Sequence, residues 1–191
     1  MPKSKKKSYK PYRPCAGIAL FNREGRVFVG RRNDLPASEL AGQKIQYPKI
    51  QYPWQMPQGG IDRNEDALTA AIRELREETS IVSAQLITEA ESWLTYDFPP
   101  EVAKKLMKGK FGGQRQMWFA MLFTGDDSEI NILAPDGGAH KPEFYEWRWE
   151  ELEKLPDLVI PFKHETYVQL AQWFADIPQK IRLGEISIDQ K

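Results

Sequence analysis

The amino-acid sequence predicts an α/β sandwich, in which helices flank a mixed central sheet. Three observations support this fold class. Short apolar runs typical of buried strands recur along the chain. An amphipathic helical pattern interrupts them after Asn64, and another lies in the last third of the chain over His164–Phe174. The length of 191 residues suits one domain with a substantial core.

The strand predictions follow the chain in order. Cys15–Phe21 and Arg26–Gly30 flank a turn at Asn22–Gly25 and predict a hairpin. Met117–Thr124 is a continuous apolar run, which suits a strand at the centre of the sheet. The remaining predicted elements are strands at Gln85–Ile87, Trp93–Tyr96 and Phe144–Trp149, loops at Pro57–Gly60 and Gly137–His140, and a short helix over Glu101–Met107.

The first helix carries several local signals. Asn64 is a suitable N-cap, and Glu65 and Asp66 place negative charge near the positive end of the helix dipole. A side chain at every third or fourth position is expected to face the core. These residues are Leu68, Ala71, Ile72, Leu75 and Thr79. The second helix is expected to bury Tyr167, Leu170, Ala171 and Phe174.

Three carboxylates crowd one face of the first helix. Glu74, Glu77 and Glu78 lie at positions i, i+3 and i+4, within one turn. Like charges at i and i+4 repel by about 0.2–0.5 kcal/mol unless a cation lies between them. Carboxylate oxygens are preferred ligands of hard divalent ions such as Mg²⁺. Arg73 lies one turn before Glu77 and is expected to pair with it.

A cluster of this kind is often only a solvated helix face, so the wider pattern decides its interpretation. Counted from Gly59, the spacing is five residues, Glu65, seven residues, Arg73-Glu74-Leu75, one residue, Glu77-Glu78, two residues and Ile81. This pattern resembles the Nudix box, G-x5-E-x7-R-E-U-x-E-E-x-G-U, where U is a bulky aliphatic residue. Ser80 is the one departure, because the family has glycine there. We expect Ser80 to adopt a left-handed conformation with slight strain and without loss of activity.

Composition restricts the classes of function. The 27 basic and 27 acidic residues balance, so no global field recruits nucleic acid. The single cysteine, Cys15, excludes an intrachain disulfide and a cysteine-based zinc site, in keeping with a reducing cytosol. No apolar run approaches the roughly 20 residues that span a bilayer, and the N-terminus lacks the apolar segment of a secretory signal. We therefore expect a cytoplasmic protein without a membrane partner.

The sequence suggests three segments: a basic tail at 1–10, a domain at 11–178 and a C-terminal tail at 179–191. The basic tail has two interpretations, a solvated disordered end or a flexible arm that attracts RNA phosphates. Between residues 33 and 53 a polar loop contains a tandem repeat, in which Lys44–Pro48 recurs as Lys49–Pro53. We interpret this repeat as a duplication tolerated at the surface.

Motifs outside the Nudix pattern resemble those of bacterial RNA pyrophosphohydrolases and the closely related dinucleoside polyphosphate hydrolases. The resemblance covers roughly Tyr12 to Phe174, and its most specific part is Trp54–Gly60. The other motifs are Tyr12-Arg13-Pro14, Gly30-Arg31-Arg32, Trp93-Leu94-x-Tyr96, Gln114-x-Gln116, Pro142-Glu143-Phe144 and Pro161-Phe162-Lys163.

This resemblance implies a set of site residues. Catalytic and metal-binding roles fall to Glu74, Glu77, Glu78 and Glu143, with the Gly59 carbonyl as a further metal ligand. The implied ion is Mg²⁺, with Mn²⁺ or another divalent cation as the alternative. The implied substrate-binding residues are Arg13 and Lys163 for phosphate oxygens, Arg32 and Phe162 for a base, and Gln58 and Tyr96.

The implied reaction is attack of water on phosphorus, with Glu77 or Glu143 accepting the proton. Its substrate would be 5′-triphosphorylated RNA, which loses pyrophosphate and keeps a 5′ monophosphate, a step that promotes RNA decay. Asymmetric hydrolysis of diadenosine tetraphosphate or pentaphosphate is the alternative. A non-catalytic nucleotide- or RNA-binding module is a rival of another class. Covalent catalysis is not expected, because His140 and His164 have no partners in the sequence for a nucleophilic triad. No protein partner is indicated.

Overall fold

The structure is a computed structural model that describes residues 10–32, 54–105 and 110–186. Its eight strands join in one sheet that mixes parallel and antiparallel pairs. In chain order they are β1 (Tyr12–Phe21), β2 (Val27–Arg32), β3 (Trp54–Gln55), β4 (Gln58–Gly60), β5 (Ala84–Glu89), β6 (Leu94–Asp97), β7 (Gly113–Phe123) and β8 (Phe144–Glu150).

The two longest strands, β1 and β7, form the centre of the sheet and run parallel, with Tyr12 opposite Gly113 and Phe21 opposite Leu122. The other pairs are antiparallel. Strand β2 lies beside β1 and carries β3 and β8. Strands β5 and β6 both pair with β7, and β4 pairs with β1. The central position of β7 confirms the expectation from its continuous apolar run.

Within the described ranges, six α-helical segments accompany the sheet, besides three short 3-10 turns. They are α1 (Ala67–Thr79), α2 (Pro100–Lys105), the single turn α3 (Pro135–Gly138), α4 (Leu155–Leu158), α5 (His164–Trp173) and α6 (Ile177–Arg182). One face of the sheet packs on α1, and the opposite face packs on α4, α5 and α6. The predicted α/β sandwich with a mixed sheet is therefore confirmed.

The start of α1 differs from the prediction. Asp66, not Asn64, is the N-cap, and its Oδ1 accepts hydrogen bonds of 3.0 Å from the N–H groups of Leu68 and Thr69. Asn64 instead lies in a turn with a φ of 69°. The first turn of α1 itself carries no acidic residue, because Glu65 precedes the helix. The carboxylate of the cap therefore provides the negative charge that the helix dipole favours.

The buried face of α1 also differs in part. Ala71, Leu75 and Thr79 are buried as expected, but Ile72 is 54% exposed. Ala70 takes a place in the core, and so does Glu78, which is only 4% exposed. The apolar stripe and the acidic face are therefore not fully distinct, because Glu78 belongs to the acidic cluster and is buried.

Other predictions can be compared directly. The β1–β2 hairpin, the strands at β5, β6 and β8, and the helix α5 agree with the sequence. The expected loop at Pro57–Gly60 was wrong, because Gln58–Gly60 forms the short strand β4. The repeat at 44–53 and the first nine residues lie outside the described part of the chain. Helix α6 crosses the proposed boundary at 178, and the domain limits stay a prediction. Within the described ranges, no helix is long and apolar enough to cross a membrane.

Candidate active site

Strand β4 brings its backbone directly under α1. Its pairing places Gly59 opposite Ala16 of β1. A Cβ atom built on Gly59 would lie 1.9 Å from Cδ and 2.0 Å from Oε2 of Glu74. Only glycine leaves room here for a carboxylate against the backbone. The absence of a side chain at this position therefore creates the space in which the acidic face of α1 meets β4.

The guanidinium of Arg73 organises one side of this space. Its Nε and Nη2 donate to the two carboxylate oxygens of Glu65, each at 2.9 Å, and Nη2 donates to the Gly60 carbonyl at 2.7 Å. Its Nη1 donates to Glu74 at 2.9 Å and to Glu77 at 3.4 Å. The predicted pairing of Arg73 with Glu77 is confirmed. The hydrogen bonds from Arg73 hold the pKa of the Glu65 carboxyl below its usual value.

Glu78 is the buried member of the acidic face. Its Oε2 accepts a 3.2 Å hydrogen bond from the backbone N–H of Gln58. Its Oε1 is buried and has no hydrogen-bond donor. Desolvation raises the pKa of this carboxyl well above its usual value, and the nearby charge of Glu143 raises it further. Burial also raises the pKa of Glu74, against the opposing effect of Arg73.

These residues fit a divalent cation. Within the described ranges, no group of three His, Cys, Asp or Glu side chains already surrounds one point. The carboxylates are instead drawn to neighbouring arginines, Glu74 and Glu77 to Arg73, and Glu143 to Arg32. However, a buried carboxylate oxygen without a donor is costly unless a positive charge compensates it. A hard cation at Glu78 Oε1, reached also by its neighbours, would provide that charge.

The amide of Gln55 organises the other side of the site. Its Nε2 donates to Glu143 Oε1 at 3.3 Å. Its Oε1 accepts from Arg32 Nη1 at 3.3 Å and from Lys163 Nζ at 3.0 Å. Arg32 also forms an ion pair with Glu143 at 3.4 Å. The site thus joins side chains from β2, β3, the segment before β8 and the turn before α5.

Lys163 is unusual because its side chain is only 4% exposed. Desolvation, followed by repulsion from Arg32, lowers the pKa of its ammonium group to about 7, although Glu143 opposes this shift. A phosphate placed beside this group would favour its charged form. Cys15 is buried nearby, and burial raises the pKa of its thiol to about 11, so it is no thiolate nucleophile near neutral pH.

Aromatic rings form the wall next to Lys163. The ring of Phe162 lies 5.7 Å from that of Tyr96 and 6.4 Å from that of Phe98. The Lys163 ammonium lies 5.8 Å from the centroid of Tyr96. Phe162 is partly buried and packs against the core as well, so it can contribute to both packing and stacking.

Gln58 and Arg13 occupy the flanks of β4. The Gln58 Oε1 accepts from Gln116 Nε2 at 2.8 Å, and Gln116 Oε1 accepts from Trp118 Nε1 at 3.1 Å. This chain of amides fixes the side chain of Gln58 in the interior. The guanidinium of Arg13 lies over Gly60, where an added Cβ would come within 2.2 Å of Nη2. Arg13 thus approaches β4 from its own strand and not through the Gln55 network.

Sequence reasoning missed three groups at this site. The sequence analysis assigns no separate role to Gln55, although its position just before the Pro57–Gly60 segment could have indicated a place in the site. Gln116 likewise received no role. His140 lies 3.7 Å from Glu77 and 3.9 Å from Asp136. No spacing in the sequence indicated that contact, because the turn before it folds back onto α1.

The fold and the acidic face define the class to which the protein belongs. The NUDIX domain model matches residues 11–174. The chain therefore belongs to the NUDIX family. Nudix hydrolases generally act with divalent metal ions, in agreement with the carboxylates gathered here.

Curated relatives of about 50% identity are RNA pyrophosphohydrolases. The chain is 51% identical to the RNA pyrophosphohydrolase of Azorhizobium caulinodans, over 86% of this chain and 92% of the relative. It is 52% identical to the RNA pyrophosphohydrolase of a Bradyrhizobium species, over 87% and 94% respectively. The similarity thus spans nearly the whole of each relative.

Solved structures resemble the fold at low sequence identity. The E. coli dihydroneopterin triphosphate pyrophosphohydrolase superposes with a TM-score of 0.61 at 17% identity, over 87% of this chain and 99% of its own. A C. elegans Ap4A hydrolase gives a TM-score of 0.54 at 19% identity, over 85% and 98%. At this level of identity the likeness concerns architecture only.

Proposed function

We propose that the protein is a Mg²⁺-dependent hydrolase that removes pyrophosphate from the 5′ triphosphate of RNA and leaves a 5′ monophosphate, which promotes RNA decay in the cytoplasm. One observation carries the proposal. The chain is about 50% identical to RNA pyrophosphohydrolases along nearly their full length. A substrate of this kind needs both the acidic face and the cationic side of the site.

The acidic residues have the role of holding divalent cations. In this proposal Glu74, Glu77, Glu78 and Glu143 are the carboxylate ligands, and the Gly59 carbonyl is a further ligand. The buried, donor-less oxygen of Glu78 supports the assignment. Mg²⁺ is the ion preferred for oxygen ligands and phosphate substrates, and Mn²⁺ is the expected substitute.

The bound cations would supply neutralisation of the polyphosphate and acidification of a water molecule. The protein's own residues do the rest. Arg13 and Lys163 bind phosphate oxygens, and Arg32 and Phe162 bind a base, supported by Tyr96 and Gln58. A carboxylate accepts the proton of the attacking water. Glu77 and Glu143 are the two candidates for this base, because both are partly exposed.

Asymmetric hydrolysis of dinucleoside polyphosphates is the second candidate function. The aromatic wall of Tyr96, Phe98 and Phe162 supports it, because these rings can stack on the base of a free dinucleotide as well as on that of RNA. A non-catalytic binding module is less well supported. Such a module has no need to retain a buried carboxylate at Glu78, whose burial is costly without a cation.

A direct comparison of substrates tests the proposal. The purified full-length protein is assayed with 5′-triphosphorylated RNA, diadenosine tetraphosphate and diadenosine pentaphosphate, each with Mg²⁺, with Mn²⁺ and with a chelator. We expect pyrophosphate release from RNA with the highest kcat/KM, and no turnover with the chelator. A higher kcat/KM for the dinucleotides would support the second candidate. Binding without hydrolysis of any substrate would support the non-catalytic module.

A further inference from the structure

Two segments of the sequence are strongly basic, although the chain as a whole has no net charge. Residues 1–13 contain six Lys and Arg residues and no Asp or Glu, and residues 99–115 contain five Lys and Arg residues and one Glu. The rest of the chain is correspondingly acidic. A net charge of zero therefore conceals a marked separation of charge along the molecule.

The parallel pairing of β1 and β7 brings these two regions together. Tyr12 lies opposite Gly113, and the N–H of Gly112 donates to the carbonyl of Pro11 at 3.0 Å. Lys10 borders Gly112, where an added Cβ would lie 3.3 Å from the Cβ of Lys10. Because both strands begin at this edge, Lys10 and Lys110, which precede them, lie at the same end of the sheet.

Cations and aromatic rings alternate on this surface. The Arg115 guanidinium lies 4.5 Å from the ring of Trp93, and the Lys110 ammonium lies 5.2 Å from the ring of Phe111. Tyr12 is 41% exposed, and its hydroxyl donates to Asp97 at 2.6 Å. We call this surface the basic end. Its members are Lys10, Tyr12, Trp93, Lys110, Phe111 and Arg115.

The basic end is continuous with the candidate active site. Tyr12 is followed in β1 by Arg13, whose guanidinium lies over Gly60. The next residue, Pro14, accepts a 3.2 Å hydrogen bond from the N–H of Ile61. The start of β1 therefore links the basic end to the part of β4 that lies beside the acidic face.

We propose that the basic end binds the single-stranded part of an RNA downstream of its reacting 5′ end. The inference rests on the proposed RNA substrate. Cations beside aromatic rings are typical of single-strand binding, since rings stack on bases and cations bind the backbone. An acidic protein surface would use the cations but not the rings. A dinucleoside polyphosphate has no backbone phosphates beyond its second nucleoside, so the basic end favours RNA over the smaller substrate.

Binding is tested first, with an RNA that cannot react. A 5′-hydroxyl single strand of about twelve nucleotides is titrated with the full-length protein by fluorescence anisotropy. The triple variant Lys10→Ala/Lys110→Ala/Arg115→Ala should bind about tenfold more weakly at low salt. The slope of log Kd against log salt should fall by about two, because each phosphate contact contributes roughly 0.7 on single strands.

A matched control removes three cations from the opposite end of the sheet. The variant Arg23→Ala/Lys154→Ala/Lys180→Ala has the same net charge as the basic-end variant, and should keep the affinity and salt slope of the wild type. Equal losses in both triple variants would overturn the inference, because they would reflect net charge alone. Unchanged binding in the basic-end variant would also overturn it and favour another partner for this surface.

The contribution of the rings is separable from that of the charges. Trp93→Ala should weaken binding of the single strand about fivefold while leaving the salt slope unchanged, because stacking releases no counterions. The same loss with a blunt duplex of equal length would contradict stacking on unpaired bases.

Kinetics separate this inference from the proposed function. The basic-end variant should raise KM for a triphosphorylated RNA of about twelve nucleotides and leave kcat unchanged. Its kcat/KM for a triphosphorylated dinucleotide should equal that of the wild type. An equal loss on both substrates would overturn the inference. If the wild type hydrolysed no RNA, the proposed function would fail, and the titration with unreactive RNA would still decide this one.

Discussion

The two sides of the candidate active site are each held together by one central side chain, which we call its hub: Arg73 on the acidic side and Gln55 on the other. On one side Arg73, a permanent cation, holds three carboxylates and a carbonyl that lie near one another in the sequence. On the other side Gln55, a neutral amide, links Glu143, Arg32 and Lys163 from distant parts of the chain. The first arrangement depends on fixed charge and local spacing. The second depends on burial and on long-range folding, so its charges can change with pH.

The largest effect is expected on the acidic side. Glu77→Gln should keep the fold and reduce kcat by about 10²–10⁴-fold, because the amide loses both the negative charge and the ability to accept the proton. Steady-state hydrolysis of triphosphorylated RNA measures this, with circular dichroism as the check on folding. The exposed Glu89→Gln on β5 serves as the control. Near-normal turnover would remove Glu77 from the mechanism.

Replacing Arg73, the permanently charged hub of the acidic side, should have a smaller effect than replacing Glu77. Arg73→Lys keeps the charge, but an ammonium has only three donors and cannot reproduce the five hydrogen bonds of the guanidinium. We expect a loss of about 1–3 kcal/mol in the free energy of unfolding, measured by urea denaturation, together with lower kcat.

The matched substitution Arg76→Lys should cost less than Arg73→Lys. Arg76 lies on the outer side of α1, is 56% exposed and pairs with Asp136 of α3. If both lysine variants lost the same stability, the Arg73 hub would be no more than another surface ion pair.

The lysine beside the Gln55 hub should give a pH-dependent effect. Its pKa is about 7 when folded, below the usual 10.5, so the unfolded chain binds more protons between these values. The contribution of Lys163 to stability therefore rises with pH across this window and is lost as pH falls towards 7. The slope is at most about 1.4 kcal/mol per pH unit.

Lys163→Met should remove this part of the pH dependence. Urea denaturation of both proteins between pH 7 and 9.5, a range of about 2.5 units inside that window, measures the difference in slope. A wild type and a variant with parallel stability curves would show that Lys163 stays charged when folded.

The smallest effect is expected at the end of α1. Ser80 has a φ of 69°, as the sequence predicted, and its hydroxyl accepts from the Asp136 N–H at 2.9 Å and donates to the Asn131 carbonyl at 3.2 Å. Ser80→Gly relieves the backbone but loses both bonds, so the free energy of unfolding should change by less than about 1 kcal/mol.

Ser80→Ala separates these two effects. It keeps the unfavourable φ and loses the bonds, so it should lose about 1–2 kcal/mol in urea denaturation. Both variants should retain the kcat of the wild type. Equal stability of the alanine variant and the wild type would mean that the hydroxyl contributes nothing.

Much of the acidic side was predictable because it is local. One helix and the strand before it place Glu65, Arg73, Glu74 and Glu77 through sequence spacing alone. The error at the N-cap, Asn64 instead of Asp66, arose because both residues are good caps and only the turn geometry separates them. The inward orientation of Glu78 was not predictable from helix periodicity, which treats every carboxylate as solvated.

The Gln55 side could not be assembled from the sequence. Its members lie on strands, turns and loops separated by more than a hundred residues, and strand order decides which of them meet. Charge patterning indicates only that Arg32, Glu143 and Lys163 are ionisable. The pKa of Lys163 is lowered by its burial, and residue type alone does not predict that burial.

Gln55 also has a consequence for specificity towards anions. An amide carries both an acceptor and a donor. The Gln55 oxygen accepts from Arg32 and Lys163, and its nitrogen donates to Glu143. Arg32 also pairs directly with Glu143 at 3.4 Å, and the amide adds no second anion beside the two cations. A glutamate at this position would offer a rival anion to both cations, and an incoming phosphate would have to displace it. The neutral amide gives Lys163 an acceptor without net charge, which a phosphate can replace without displacing an anion.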